Sequence, residues 1–192
     1  MSSLAFLAIL TVSEVGYVLT AWIYLQQWFD ERVRITMPTK GQFGWILGSA
    51  IVMLAIGAVI TMVSTHTGIT TGRVDQELLT GSQSTVLILA VLAFIVIAPA
   101  EEYFFRGVIQ RRMMRSFSTP VAILIGALIF VLPHAVGYIG NIEGIVLLSM
   151  APFSLAIITG ILYEKFDNLS IPILCHGIYN ATLFMATYFT AF

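Results

Sequence analysis

Six polar side chains stand in stretches otherwise too apolar to carry them: Glu101, Glu102 and Arg106 in AFIVIAPAEEYFFRG, His134 in FVLPHAVG, and His176 and Asn180 in ILCHGIYNAT. An ionisable group at membrane depth costs about 2.5–3.5 kcal/mol on insertion scales, so each needs a partner or a task. Residues four apart share one face of a helix. Glu102 therefore meets Arg106, while Glu101, about 100° further round, points elsewhere. One carboxylate is neutralised and the other is left free. By the same spacing His176 and Asn180 present two polar groups to a common neighbour, and Phe130 packs one turn from His134. A free carboxylate walled by apolar helices holds a proton more readily than in water, which suits Glu101 to general-base work near neutral pH. His176 and Asn180 are donors for a developing oxyanion. These are the parts of a peptide-bond hydrolase that needs no side-chain nucleophile.

The elements that must hold these groups follow from composition. Of 192 residues, 58% are hydrophobic and only 10% charged, with a mean hydropathy of +0.95; soluble domains carry about 25% charged residues. The chain is read as an integral membrane protein. A helical span takes about 20 mostly apolar residues, and six stretches qualify: roughly 4–28, 43–64, 84–107, 120–140, 144–163 and 171–191. The runs are continuous and lack the alternation of an outer-membrane strand. The connecting strings DERVRITMPTKGQ, STHTGITTGRVDQELLTGSQ and QRRMMRSFST leave no room for a soluble domain. We expect an all-α polytopic bundle of about six spans, a single membrane domain over 1–192, with no cleaved signal peptide at its start.

Charge sets orientation and excludes partners. The first, third and fifth loops hold seven Lys and Arg (Arg32, Arg34, Lys40, Arg111, Arg112, Arg115, Lys165), against Arg73 alone in the second. Basic loops stay in the cytoplasm, so those three loops are expected there, both termini outside, and the catalytic cavity open toward the cytoplasm. A net charge of −1 gives no field for nucleic acid. The one cysteine, Cys175, forms no internal disulfide, and no zinc spacing occurs. No metal or other cofactor is expected. At ~1.5 Å per residue, Glu101 lies ~12 Å from the cytoplasmic end of its span and His134 ~21 Å from Pro120. To reconcile them, either the fourth span starts later and tilts, or Pro133 kinks it.

The ordered motifs E-E-x-x-x-R (Glu101, Glu102, Arg106), F-x-x-x-H (Phe130, His134) and H-x-x-x-N (His176, Asn180) resemble the CPBP family of intramembrane proteases. That family takes in type II CAAX prenyl endopeptidases, Abi proteins and bacteriocin-processing or self-immunity proteins. The resemblance spans about 84–191, the expected protease core, and extends to the region of Gly160 and Tyr163. It implies that Glu101 activates water with help from His134. It also implies that His176 and Asn180 form the oxyanion hole, that Glu102 and Arg106 form a structural ion pair, and that Phe130 shapes the site. Members similar to the prenyl endopeptidases often have eight spans, whereas six fit here. The substrate expectation therefore stops at a membrane-associated protein or peptide, in a prokaryotic inner membrane, with the oligomeric state open.

Rival readings are a two-His, one-Glu metalloprotease, disfavoured without HExxH, and a silent immunity protein or proton-coupled transporter. Glu14 is a further buried acid outside the motifs, expected to bond Thr11, Ser13 or another span. Cys175 neighbours His176 but points about 100° away from it. Gly48, Ala55, Gly57 and Gly126 read as close helix contacts.

Overall fold

The computed structural model describes residues 3–28, 32–69 and 71–192; Asp30 and Glu31 of the first loop and Thr70 of the second lie outside them. Helix α1 (Ser3–Trp28) is followed by α2 (Lys40–Thr67), strand β1 (Thr71–Arg73) and a short α3 (Gln76–Gly81). A 32-residue helix, α4 (Gln83–Met114), comes next. Then come α5 (Thr119–Val136), strand β2 (Tyr138–Gly140), α6 (Ile142–Phe166) and α7 (Ser170–Ala191). The expected all-α bundle is what forms.

Caps start and stop these helices where the sequence supplies them. Thr39 and Gln42 close a reciprocal capping box on α2, satisfying backbone donors that have no helical partner. Gly68 ends that helix in the left-handed region at φ 70°, where the absence of a Cβ removes the penalty. Asn141 caps α6 through Gly144 N.

Five helices are long and apolar enough to cross a membrane: Ala5–Trp28, Lys40–Thr67, Gln83–Met114, Thr119–Val136 and Ile142–Phe166. The sixth expected span is the 22-residue α7, whose His176, Asn180 and threonines lower its hydropathy. It packs against α2, α4 and α6, with its His176 face fully buried. The third span continues past its expected end at 107 to Met114, through Arg111 and Arg112. The sequence expectation of helix alone misses one feature, a two-stranded antiparallel sheet that pairs Thr71 with Gly140 and Arg73 with Tyr138.

α4 is not uniform. Ala93–Ile97 and Phe105–Gln110 are π-helical turns on either side of an α-helical segment, Ala98–Phe104, and such turns often mark functional positions. α7 crosses the first of them closely. A Cβ on Gly177 would lie 2.9 Å from Phe94 Cδ2 and 3.3 Å from Phe94 Cα, so glycine is what permits the approach. The glycines expected at close contacts behave otherwise: Gly48 has open space beside it, while Gly57 and Gly126 make ordinary contacts at 3.7 and 4.0 Å. The tight crossings fall at Gly177 and Gly160, because they are set by the bulky or polar neighbour, not by a run of small residues.

Candidate active site

The α-helical segment of α4 presents Glu101 and Glu102 in opposite roles. Glu102 is fully buried, with Oε2 3.0 Å from Arg106 Nε, the pairing expected from their spacing. Arg106 is held further by the Ala156 carbonyl at 3.1 Å and by the Thr159 hydroxyl, both on α6. Next along, Gln110 Nε2 donates to the Gly160 carbonyl at 3.1 Å. These groups form a buried polar ladder between α4 and α6. A charge in such a place is stable only when paired and hydrogen-bonded: Glu102 Oε2 and Arg106 Nε face each other as an ion pair without a hydrogen bond, and the hydrogen bonds of Arg106 run from its Nη2 to α6.

Glu102 has a second partner that helical spacing could not show. His176 Nδ1 donates to Glu102 Oε1 at 2.8 Å, across residues 74 positions apart. Because the carboxylate accepts, the proton of a neutral ring sits on Nδ1, and Nε2 becomes an acceptor. Asn180 Nδ2 donates to that nitrogen at 2.9 Å. An amide carries two N–H bonds, so one remains for another acceptor. Glu101 Oε2 lies 3.8 Å from the same Nε2, beyond hydrogen-bond reach, and has no hydrogen-bond partner among the described residues.

His134 is oriented by its own helix. Its Nδ1 is 2.9 Å from the Phe130 carbonyl, and a carbonyl only accepts, so Nδ1 carries the hydrogen and Nε2 presents a lone pair. Phe130 is fully buried. Its ring stacks on His134 at 4.7 Å, meets His176 edge-on at 6.1 Å, and lies 5.1 Å from the Arg106 guanidinium carbon. One aromatic ring thus sets the spacing between all three polar elements of the site.

A cavity of about 390 Å³ joins the free groups. Glu101, His134 and Asn180 line it, together with Tyr179 and Pro133. His176 is fully buried behind this wall and does not line it. Further lining includes Phe6, Leu10, Leu89, Leu183 and Phe184, and Arg73, Val74, Asp75 and Tyr138 at the short sheet. Arg73 grips Asp75 through two hydrogen bonds of 2.9 and 2.8 Å.

The model of the type II CAAX prenyl endopeptidase Rce1-like family matches residues 83–182. The chain belongs to that family. All seven motif residues, from Glu101 to Asn180, fall inside the match, and the resemblance read from their order is borne out. No curated protein and no solved structure gives a significant match. Membership in this endopeptidase family supports proteolysis, carried out in a bundle of membrane-length helices.

One expectation about this Rce1-like chain needs correction. Glu101 sits 13 residues before the end of α4 at Met114, hence ~20 Å from that end. His134 sits 15 residues into α5, which starts at Thr119, hence ~22 Å. The two depths agree without a late start of α5 or a kink, because the third helix is longer than its apolar run. The loop residues that line the cavity, Arg73, Val74, Asp75, Gly137 and Tyr138, belong to the second and fourth loops.

Glu14 is buried on α1 within electrostatic range of Glu101. The expected local bonds do not form: Thr11 and Ser13 donate instead to the carbonyls of Leu7 and Leu10. Sequence reading also passed over Thr159 and Gln110, which complete the ladder. Their only signal was the polarity of single residues in apolar helices.

Proposed function

We propose that this protein is a glutamate-dependent intramembrane endopeptidase that hydrolyses a peptide bond of a membrane-associated protein or peptide. The observation that carries the reading is the convergence of Glu101, His134 and Asn180, from three helices, on one cavity. Glu101 and the Nε2 of His134 are both acceptors. A water molecule has two hydrogens to give, and with both engaged its lone pair is directed at a substrate carbonyl. Glu101 takes the proton as the water attacks. The spare N–H of Asn180 receives the negative charge that grows on the carbonyl oxygen. His176, fixed by Glu102, holds the Asn180 amide from behind, so its part in the oxyanion hole is exerted through Asn180. Glu102, Arg106 and Phe130 keep this arrangement in place, and the whole chain works as one membrane domain whose chemistry lies in its second half.

The test is a cleavage assay on membrane-tethered peptides, prenylated and unprenylated, with the intact protein and Glu101→Gln in detergent. Cleavage by the former and none by the latter, with both folded, supports the reading; equal cleavage overturns it. The same assay tests metal dependence. His176 has both ring nitrogens committed, to Glu102 and Asn180, and His134 has Nδ1 committed to Phe130. That leaves fewer free nitrogen and carboxylate donors than the three protein ligands of a catalytic zinc. Activity is therefore expected to survive prolonged chelation, and zinc-restored activity after chelation would move the chemistry to a metalloprotease.

A further inference from the structure

α1 lies outside the family match of 83–182, yet it packs along the acid-bearing part of α4. Side-chain contacts give the register. The Tyr17 ring lies 5.1 Å from that of Phe104 and 5.6 Å from that of Phe105, and further along Arg115 donates to the Trp28 carbonyl at 3.2 Å. Trp28 stands eleven residues after Tyr17, and Arg115 eleven after Phe104, so the two helices run side by side in the same direction. Counting back three residues from Tyr17 and from Phe104 reaches Glu14 and Glu101, which therefore stand level across the seam. Four residues earlier on each helix, Leu10 and Ile97 both line the active-site cavity.

Leu10, Glu14, Tyr17 and Ala21 are the buried and half-buried positions of this part of α1, spaced four and three apart as in an apolar helix contact. Glu14 breaks the pattern. It is 3% exposed and is an acid where a leucine would pack, and an ionisable side chain kept at membrane depth marks a functional position. Glu14 Oε2 and Glu101 Oε2 are both buried with no hydrogen-bond partner among the described residues, and the two carboxyl groups lie within electrostatic range of each other. Ionised carboxylates only accept hydrogen bonds, so neither serves the other, and like charges placed in this way do not both ionise.

We propose that Glu14 is a further positioning residue of the proteolytic site, which carries the one proton held by the Glu14–Glu101 pair and so keeps Glu101 free to act on the water. The inference rests on the reading of Glu101 as the base. A proton on Glu14 turns one acceptor into a donor, which Glu101 or a water between the two accepts. The charge belongs on Glu101, which borders the cavity and has Arg106 within electrostatic range; Glu14 forms no part of the cavity wall. The other titratable groups around the pair are Tyr17 on α1, Glu102 and Arg106 on α4, His134 on α5 and His176 on α7. Glu102, Arg106 and His176 are engaged with one another. In the reaction, water gives one proton to Glu101 as its oxygen bonds to the carbonyl carbon and the carbonyl π pair moves to oxygen. That proton passes to the amide nitrogen as the C–N bond breaks and the C=O bond re-forms. Glu14 keeps its own proton throughout, so the pair never carries two charges.

Infrared spectroscopy of the intact protein in detergent reads the proton directly, because the C=O stretch of a protonated carboxyl is separate from the bands of an ionised one. At neutral pH the buried-carboxyl band should be present in the wild type and in Glu101→Gln and absent from Glu14→Gln. A band that survives Glu14→Gln, or its absence from the wild type, overturns the inference. The measurement needs no cleavage, so if Glu101→Gln still cleaves, the base reading falls while the spectrum shows who holds the proton. Kinetics form the second arm. Glu14→Leu fits the apolar seam but holds no proton, and should lower kcat by about tenfold or more with KM little changed. Glu14→Gln keeps a neutral donor and should restore part of that loss, while its kcat no longer falls at the alkaline pH where Glu14 ionises. Wild-type kcat in Glu14→Leu, or a wild-type alkaline limb in Glu14→Gln, overturns the inference; should Glu14→Leu fail to fold, the spectrum and pH profile of Glu14→Gln decide.

Discussion

Two adjacent acids with the same side chain are set to different tasks by what surrounds them. Glu102 is held by Arg106 and His176 and is fully buried; Glu101 faces the cavity with one oxygen unbonded among the described residues. On the proposed mechanism, Glu101→Gln keeps the shape and loses the base, so cleavage should vanish while the melting temperature in detergent stays near wild type. Glu102→Ala strands Arg106 as a buried charge, which typically costs about 3–5 kcal/mol, and should lower the melting temperature clearly. Equal melting and equal residual activity in the two variants would refute this division. On the proposed mechanism, Asn180→Ala removes the donor to the oxyanion, an interaction made mainly during reaction. It should lower kcat by about 10²–10³ with KM little changed; a rise in KM alone would make Asn180 a substrate grip. Spacing within a helix made the Glu102–Arg106 pair and the Phe130–His134 stack legible in sequence. The bond from His176 to Glu102 joins residues on different helices, and no local spacing encodes it.

At the scale of elements, long apolar runs announced the helices, and the ends were misread where charge met a continuing helix. Arg106, Arg111 and Arg112 look like the end of a span, yet α4 runs on to Met114 because Arg106 is satisfied internally by Glu102, Ala156 and Thr159. The π-helical turns flanking the two acids carry no residue signature and were invisible. So was the crossing of α7 over the first of them, which depends on Gly177 lacking a side chain. Gly177→Ala brings a methyl within 2.9 Å of the Phe94 ring, and overpacking of this kind costs about 1–3 kcal/mol. Since His176 precedes Gly177, the same displacement moves His176 off Glu102. Gly177→Ala should therefore lose both stability and kcat, and trimming the obstacle with Phe94→Leu should restore part of each. Urea unfolding and turnover on the two single variants and the double variant would show it; simple additivity would mean that the two residues do not compete for one space.

For the whole molecule, the first and fifth loops are clamped together at one end, and the loop residues that line the cavity lie at the other. Asn168 is the hub of the clamp. It is 2% exposed, bonds both backbone groups of Thr36, and accepts from Ser170 N at 3.3 Å. Near it, Lys165 lies 4.6 Å above the Trp45 ring, and a cation over an aromatic face at a membrane interface anchors that end. Asn168→Ala removes its hydrogen bonds to both backbone groups of Thr36 and to Ser170 N, and an intramolecular hydrogen bond typically contributes about 0.5–1.5 kcal/mol. The first and fifth loops should come apart and the melting temperature should fall by several degrees. The cavity is built at the opposite end, from α1, α4, α5, α6, α7 and the short sheet, and none of its walls uses Asn168. In the fraction that remains folded, kcat and KM should therefore match wild type. Active-site titration alongside thermal unfolding separates the two quantities. If the folded Asn168→Ala protein turned over tenfold more slowly, the ends would be coupled through the buried ladder, and the basic end would belong to the catalytic machinery instead of serving only to clamp the loops together.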